Sequence, residues 1–431
     1  MRHTPDPKGC SPDVDATLDL LFRRRSGQLT ATLTRILGID QLDLVEEVVQ
    51  DAFVQALRRW PSMGVPDNAG AWVLRVAKNR AIDVLRRQGR RREKQEEIER
   101  SILPEPARDR GQRVFFSDEV EDDELRMIFA MCHPAIPRDA QIALTLKTVG
   151  GFGVNEIARA FLTSKPTMAQ RLVRAKRTLR EKQVPLTMPV GSALHTHLGA
   201  VLEVLYLMFN EGHSAAAGSE LVRAELCGEA IRLVELLAAH STVGEPRVDA
   251  LAALFLFQAA RIPARTDEDE LVPLDRQDRS QWDRRLIRRA LAYHQRSARG
   301  DAVSSYHLQA EIASCHTLAP SYGDTDWARI LECYNDLLEL DPSPVIALNR
   351  VVALAEVEGS AVGLEELQAL KTERALDSYY HLFAIEAELL ARLGRFREAH
   401  QAVSTAISLV QSLPVRRHLE RRARDHLRSA Q

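Results

Sequence analysis

The chain has 431 residues, the length of roughly two to four domains, and its 45% hydrophobic side chains are enough for real cores, so disorder is not the default. Formal net charge is −2, but residues 1–185 carry 32 Lys and Arg against 26 Asp and Glu, whereas residues 186–431 carry 26 against 34. A basic front and an acidic back imply a front that faces nucleic acid and a back that does not share the task.

Residues 1–14, rich in Pro, Asp and Gly, are expected to be frayed. Leu18 to Leu37 reads as a helix whose apolar positions are Leu18, Leu21, Phe22, Leu29, Leu33 and Ile36. After a turn at Gly38–Asp40 comes LDLVEEVVQDAFVQALRRW, with Leu44, Val45, Val48, Ala52 and Leu57 on one face. Asp43, Glu46, Glu47, Gln50 and Asp51 lie off that face and make an acidic, amide-bearing surface. The loop PSMGVPDNAG leads into AWVLRVAKNRAIDVLRRQGRRR, where Leu74, Ala77, Ala81, Val84 and Leu85 point inward. Trp72, Arg75, Lys78, Asn79 and Arg86 then share the outer side, and an aromatic ring among cations suits single-stranded nucleic acid.

Residues 93–121 have linker composition, with Pro104, Pro106, Gly111 and the acidic run SDEVEDDE. From Glu124 a helix LRMIFAMC stops at His133–Pro134, a second spans Arg138 to Val149, and Gly150–Gly153 is a hinge. The next stretch, VNEIARAFLTSKPTMAQRLVRAKRTLREK, reads as two short helices with a break at Leu162–Ser164. Ser164 suits the N-cap and Pro166 the first turn, where a missing N–H costs nothing. Met168, Leu172, Ala175 and Leu179 recur at helical spacing, which turns Thr167, Gln170, Arg171, Arg174 and Arg177 outward. Such a basic, hydrogen-bonding face suits a recognition helix in a major groove.

Together, DLVEEVVQDAFVQAL, AWVLRVAKNRAIDVLRR and the closing RLVRAKRTLRE resemble, in that order, a bacterial sigma factor of the extracytoplasmic-function group. The likeness covers about residues 15–183, with regions 2 and 4 and no region 3 between them. It implies RNA polymerase core as partner, through the β′ clamp helices and the β flap, together with promoter DNA. Asp43, Glu46, Glu47, Gln50 and Asp51 correspond to the clamp-docking helix. Asn68, Trp72, Arg75, Lys78, Asn79, Arg86 and Arg87 correspond to the segment that melts and holds the −10 element, with Pro61 to Gly70 as the loop beneath a captured base. Lys165, Thr167, Gln170, Arg171, Arg174 and Arg177 correspond to the −35 reader.

Beyond 185 the chain continues for about as long again. PLTMPVGSAL is a hinge, Leu198 to Phe209 is strongly apolar, and Leu221 to Ala239 and Val248 to Arg261 read as amphipathic helices. His213 is expected to be structural. IPARTDEDELVPLDRQDRSQWDRRLI alternates carboxylates with arginines and lacks a nucleophile or phosphate loop, so it is expected to be a solvated or interface loop rather than a catalytic one. After Ser305, ALNRVVALAEVEG and AIEAELLARLGR place Gly359 and Gly394 at a period of 35, which resembles tetratricopeptide repeats. The resemblance narrows to the sigma subgroup with such an extension. That subgroup carries a glycine in the acidic motif that here reads Asp267–Glu268–Asp269–Glu270, with none.

The expected architecture is all-α: region 2 at 15–92, a linker at 93–121, a region 4 helix-turn-helix at 122–185, a helical extension at 190–300 and tetratricopeptide-like repeats at 301–425. Five scattered cysteines without a CxxC pair, no apolar run of transmembrane length and no signal-peptide core point to a cytoplasmic protein without membrane contact. No metal, cofactor or catalytic constellation is expected; Cys132–His133 has no partner pair at finger spacing. The expected function is that of a sigma factor, not an enzyme, whose extension docks on the sigma modules and modulates activity in cis. The competing readings are a free-standing helix-turn-helix regulator with a tetratricopeptide-like sensory domain, which has no use for the acidic surface of Asp43–Leu57, and a scaffold with a degenerate front.

Overall fold

The computed structural model describes residues 12–87, 118–161, 163–187, 192–213, 222, 224–240, 243–267, 270–372 and 376–430. These are helical throughout apart from turns and one small hairpin, and they fall into two compact units, Met1–Val204 and Leu205–Gln431. Among the described residues no helix is long and apolar enough to cross a membrane.

In the front unit, α1 (Pro12–Leu37), α2 (Leu42–Met63) and α3 (Ala69–Arg87) enclose one core. On α2 the buried positions are Leu42, Val45, Val48, Val49, Ala52, Phe53, Ala56 and Trp60, a stripe at three- and four-residue spacing that drives the helix onto α1 and α3. Leu57 does not belong to it: the stripe passes from Ala56 to Trp60, and Leu57, expected inward, is 47% exposed. The expected loop from Pro61 is also shorter, because Pro61–Met63 complete α2. Gly64 stops the helix at φ 79°, and the Asn68 side-chain oxygen accepts from the Ala71 N–H at 3.0 Å to begin α3.

The second bundle is α4 (Asp118–Met131), α5 (Arg138–Thr148), α6 (Val154–Ala160) and α7 (Lys165–Glu181). It shares α1 with the first, since α1 packs on α4 as well as on α2 and α3. Arg35 Nε of α1 lies 2.8 Å from the buried carboxylate of Asp123 on α4. Burial raises the Asp123 pKa in spite of Arg35, so this pair is held by packing rather than by charge alone. Gly27 of α1 approaches the Val149 carbonyl so closely that a Cβ there would stand 2.1 Å from the oxygen. The two bundles are therefore in direct backbone contact.

The back unit is built on α10 (Pro246–Ala260). Nearly every residue from Val248 to Ala260 is buried, the mark of a helix apolar on all sides and enclosed by others. Around it pack α9 (Ala224–Ala239), α11 (Arg284–Ser297) and α12 (Ser305–Leu318). α8 (Ser192–His213) starts in the front unit and runs through the polar Asn210–His213 to end in the back unit, where Phe209 stacks on Phe255 at 4.3 Å. Between α10 and α11, β1 (Thr266–Asp267) and β2 (Glu270–Leu271) form an antiparallel hairpin followed by 3-10 turns. Most described residues of this stretch are exposed or half-buried, as a solvated or interface loop is, with Ala264, Gln277 and Trp282 buried within it.

From α13 (Trp327–Leu340) through α14 (Pro344–Glu358), α15 (Ser360–Leu370), α16 (Tyr380–Arg392), α17 (Phe396–Leu409) and α18 (Leu413–Ser429), each helix packs on the next in the chain. Gly359 and Gly394, the two glycines 35 residues apart, both sit at positive φ, 99° and 74°, just beyond α14 and α16. The period read from the sequence is thus a period of helix ends.

Candidate functional site

α7 forms as its sequence dictates. Ser164 Oγ accepts from the Thr167 N–H at 3.3 Å, Pro166 stands in the first turn, and Met168, Leu172, Ala175 and Leu179 are buried. Lys165, Thr167, Gln170, Arg174 and Arg177 are exposed along the opposite face. Arg171, expected to point outward, is half-buried instead. Its guanidinium lies 5.8 Å from the centre of the Phe161 ring and 3.5 Å from Asp139, which locks one cation of the row to the preceding helices.

On α3, Arg75, Asn79 and Arg86 are exposed, while Lys78 is half-buried and its ammonium pKa is lowered by that burial. Trp72 is half-buried too, its ring edge-on to the buried Trp60 at 5.5 Å. Trp60 of α2 thus covers part of the Trp72 ring. Asn68 spends its side-chain oxygen on the α3 cap, and the Arg87 side chain lies outside the described residues.

The acidic face of α2 departs furthest from expectation. Glu47 and Gln50 are exposed, but Asp51 faces Arg80 of α3 at 3.2 Å. Asp43 and Glu46 meet the end of α7: Lys176 Nζ is 3.0 Å from Asp43 and 2.8 Å from Glu46, and Arg180 donates to Asp43 at 2.7 Å. Lys176 is only 14% exposed. Burial alone would raise the Asp43 pKa, but Lys176 and Arg180 outweigh it and hold the carboxyl below its ordinary value. Burial likewise opposes the charge on Lys176, yet Glu46 and Asp43 raise its pKa. Beside this clasp a cleft of about 880 Å³ is lined by Arg35, Asp40, Glu47, Arg180 and Val184.

Lys176 and Arg180 escaped the sequence reading because it sorted the face of α7 only by what would turn toward DNA. Their spacing of four residues was the available sign, since it puts two cations side by side on the helix. Cys132 is buried and its thiol is pushed up to about 12, mainly by that burial, so the thiolate a metal needs is suppressed. Among the described residues no three His, Cys, Asp or Glu side chains converge as a metal site.

Three family models match the chain: sigma-70 region 2 over residues 21–91, sigma-70 region 4 over 126–179, and a family of unknown function (DUF6596) over 197–298. An uncharacterized protein of Rhizobium meliloti (strain 1021) is 40% identical over 369 residues, 85% of this chain and 86% of its own length. The ECF RNA polymerase sigma-E factor of Escherichia coli (strain K12) is 30% identical over 145 residues, 33% of this chain and 75% of that protein. Its namesake in Haemophilus influenzae is 29% identical over 175 residues, 39% of this chain and 88% of that protein. No solved structure matches the chain.

Proposed function

The chain belongs to the extracytoplasmic-function group of the sigma-70 family, and from that premise we propose that its front unit joins RNA polymerase core and directs it to promoters whose −10 and −35 elements it reads. In this reading residues 15–92 and 122–185 are the two promoter-binding modules. Asp43, Glu46, Glu47, Gln50 and Asp51 dock on polymerase. Asn68, Trp72, Arg75, Lys78, Asn79, Arg86 and Arg87 hold the opened −10 strand, where stacking and cationic contacts offset the cost of unpairing a base. Lys165, Thr167, Gln170, Arg171, Arg174 and Arg177 face the −35 duplex.

The observation that carries the proposal is the exposed row on α7 beside an α2 face whose carboxylates are held by exchangeable cations. Asp43 and Glu46 cannot serve Lys176 and polymerase at once. Docking on polymerase therefore moves the end of α7 off α2, and the same movement frees the second module to reach a separate DNA element. The closed front unit is the resting form.

The extension, in this proposal, tunes that opening in cis. What supports it is that Glu203, on the first helix of the extension, takes the guanidinium of Arg138 at the start of α5, with Nε 2.6 Å away. The His197 ring lies 6.3 Å from that of His133, centre to centre. The match to the family of unknown function begins at residue 197, so this helix joins the second module to that part of the chain.

Run-off transcription with purified core polymerase, on the promoter upstream of the protein's own gene, is the test. The full chain should yield a discrete transcript that core alone does not, and a chain ending at Pro189 should differ from it in yield. DNA binding without any association with core would replace the proposal with a free-standing regulator. Equal transcription by the truncated and full chains would remove the cis role of the extension.

A further inference from the structure

Arginine gathers on one helix of the back unit. Residues 284–299 hold six arginines, Arg284, Arg285, Arg288, Arg289, Arg296 and Arg299, and no Asp or Glu, in a part of the chain where acids outnumber bases by 34 to 26. α11 carries all of these but Arg299, which follows directly after it. Burial of Ile287, Ala290 and Ser297 fixes how this helix is turned, and Arg284, Arg288, Leu291 and Gln295 fall on the opposite, exposed face. Arg285 and Arg299 are exposed beside that row. The arginines at its border are matched, since Arg289 reaches Glu235 of α9 and Arg296 lies 2.6 Å from Asp249 of α10. The four in the open, Arg284, Arg285, Arg288 and Arg299, meet no carboxylate among the described residues. Asp283, just before the helix, is engaged as its N-cap, one oxygen accepting from the N–H groups of Arg285 at 2.7 Å and Leu286 at 3.2 Å.

These open cations do not serve the helix that carries them. Arg284 and Arg285 stand in its first turn, where the unpaired N–H groups already make the positive end of the helix dipole and a cation is unfavourable. Nor is the face that of a typical protein contact, whose centre is depleted in charge and rich in apolar and aromatic groups. Along the row itself Leu291 and Gln295 separate Arg288 from Arg299, and no ring stands there. At about 1.5 Å per residue the row runs on the order of 20 Å from Arg284 to Arg299. Over that length a duplex presents about a dozen phosphate charges, one per ~1.7 Å of its axis. A straight row of guanidinium groups, each offering parallel donors to phosphate oxygens, is complementary to such a rail.

We propose that the exposed face of α11 binds the phosphate backbone of duplex DNA, with Arg284 and Arg288 at its centre and Arg285 and Arg299 beside them. The extension then adds a hold on DNA that reads no sequence. Covalent linkage favours this partner over other polyanions. The first helix of the extension begins at Ser192, eleven residues past Glu181 at the end of α7, so a duplex held by the second module stays at high local concentration for the extension. The contact goes beyond the promoter reading, because it requires a duplex but no particular sequence, and it can hold or fail apart from that reading.

The experiment titrates the full chain against a fluorescent duplex of nonpromoter sequence over a series of salt concentrations. Three proteins are compared: the native chain, Arg284→Gln with Arg288→Gln, and a control of equal charge, Arg417→Gln with Arg424→Gln on α18, where exposed arginines are interleaved with Glu420 and Asp425. The α11 variant should bind about tenfold more weakly at low salt, and the slope of log affinity against log salt should fall by about two, since each lost phosphate contact removes about 0.9. The α18 variant should bind as the native chain does. Melting of the α11 variant should be no lower than native, because it takes cations from the positive end of a helix. Its association with core polymerase in the absence of DNA should be unchanged. The proposal is overturned if the native chain does not bind the duplex saturably, if the α11 variant binds it as the native chain does, or if both variants lose affinity equally, which would make net charge the cause. Weakened association with core polymerase and an unaltered grip on the duplex would make the face a protein contact and overturn it as well. Run-off transcription by the native chain tests the promoter reading separately, so failure of one is not read as failure of the other.

Discussion

Lys176 and Arg180 in the front unit, and Arg261, Arg265 and Arg279 in the back, are cations met in opposite ways. The first two find carboxylates of another helix at 2.7–3.0 Å, in a setting where water and salt still reach Asp43. The other three find amides, an imidazole and carbonyls, and no carboxylate among the described residues. Charge pairing at a partly wet surface is weak and can be exchanged for another partner. Unmatched charge in an interior is costly, and burial accordingly lowers the pKa of Arg261 and Arg265.

The largest expected effect separates the two units by pH. Burial is the main cause that brings His316 and His418 of the back unit down to about 4 and leaves His213 well below its ordinary value. In the front unit His133 is the described histidine with a lowered pKa, by burial and by His197. A folded pKa below the unfolded one gives stability that is complete above about 6.5 and is lost as pH falls toward 4. At about 1.4 kcal/mol per unit, reduced for partial solvent access, the back unit should lose on the order of 3 kcal/mol between pH 6.5 and 4.5. Hydrogen exchange on the full chain across that range should show α10 and α12 losing protection before α2 and α3. The reverse order would show that these histidines do not govern the back unit.

Next in size is the backbone contact between the front bundles. Gly27→Ala puts a methyl group into the Val149 carbonyl, an overpacked contact that should cost about 1–3 kcal/mol. Because the clash lies between the bundles and not within either core, the modules should part while each stays folded. Crosslinking of Asp43 to Lys176 should fall while far-ultraviolet circular dichroism is unchanged. If the crosslink persists at native yield, α1 does not hold the closed form.

Much of this arrangement was legible before the structure. The cap at Ser164, the inward row of α7, the helical stripe of α2 and the glycine period of the extension are local, and local rules set them. Leu57 and Pro61 were misplaced because periodicity drifts near a helix end, where the last turn is decided by what the neighbour offers. Trp72 read as outward because Trp60, twelve residues away, was not seen to reach it. The clasp of Lys176 and Arg180 on Asp43, and the meeting of Arg261, Arg265 and Arg279 with His316, join residues far apart in the chain. No spacing rule shows which cations will find an acid and which will not.

On the open face of α7 the two inner arginines should behave differently. Arg174 is exposed, so its removal should act directly on DNA. If it reads a base edge, Arg174→Ala should cost about 1–3 kcal/mol and relax preference at one −35 position. Arg171 is committed to Phe161 and Asp139. Arg171→Ala should therefore weaken all sequences alike and also lower the stability of the second bundle. Binding to a panel of single-base variants measures both, and a uniform loss with Arg174→Ala would make it a phosphate contact instead.

The smallest effect is the most informative about the closed form. Lys176→Ala with Arg180→Ala removes the cations that cover Asp43 and Glu46 and leaves Glu47, Gln50 and the rest of α2 untouched. Each of the three partly exposed pairs is worth about 0.5 kcal/mol, so the double variant should bind core polymerase tighter by about 1.5 kcal/mol, a factor of about ten. The titrations say that salt and not pH is the lever. The lowered Asp43 pKa keeps its part of the clasp at every pH above about 3.8, losing it only as acid is added below that, and the raised Lys176 pKa keeps its part up to alkaline pH. Raising ionic strength should therefore bring native and double-variant affinities together, because it screens the clasp in the native chain and finds none in the variant. Measured against core alone, with no DNA present, the comparison excludes any effect on promoter contacts. A variant that binds core no better than the native chain at low salt would mean that Asp43 and Glu46 are not where polymerase docks, or that the end of α7 leaves them without cost.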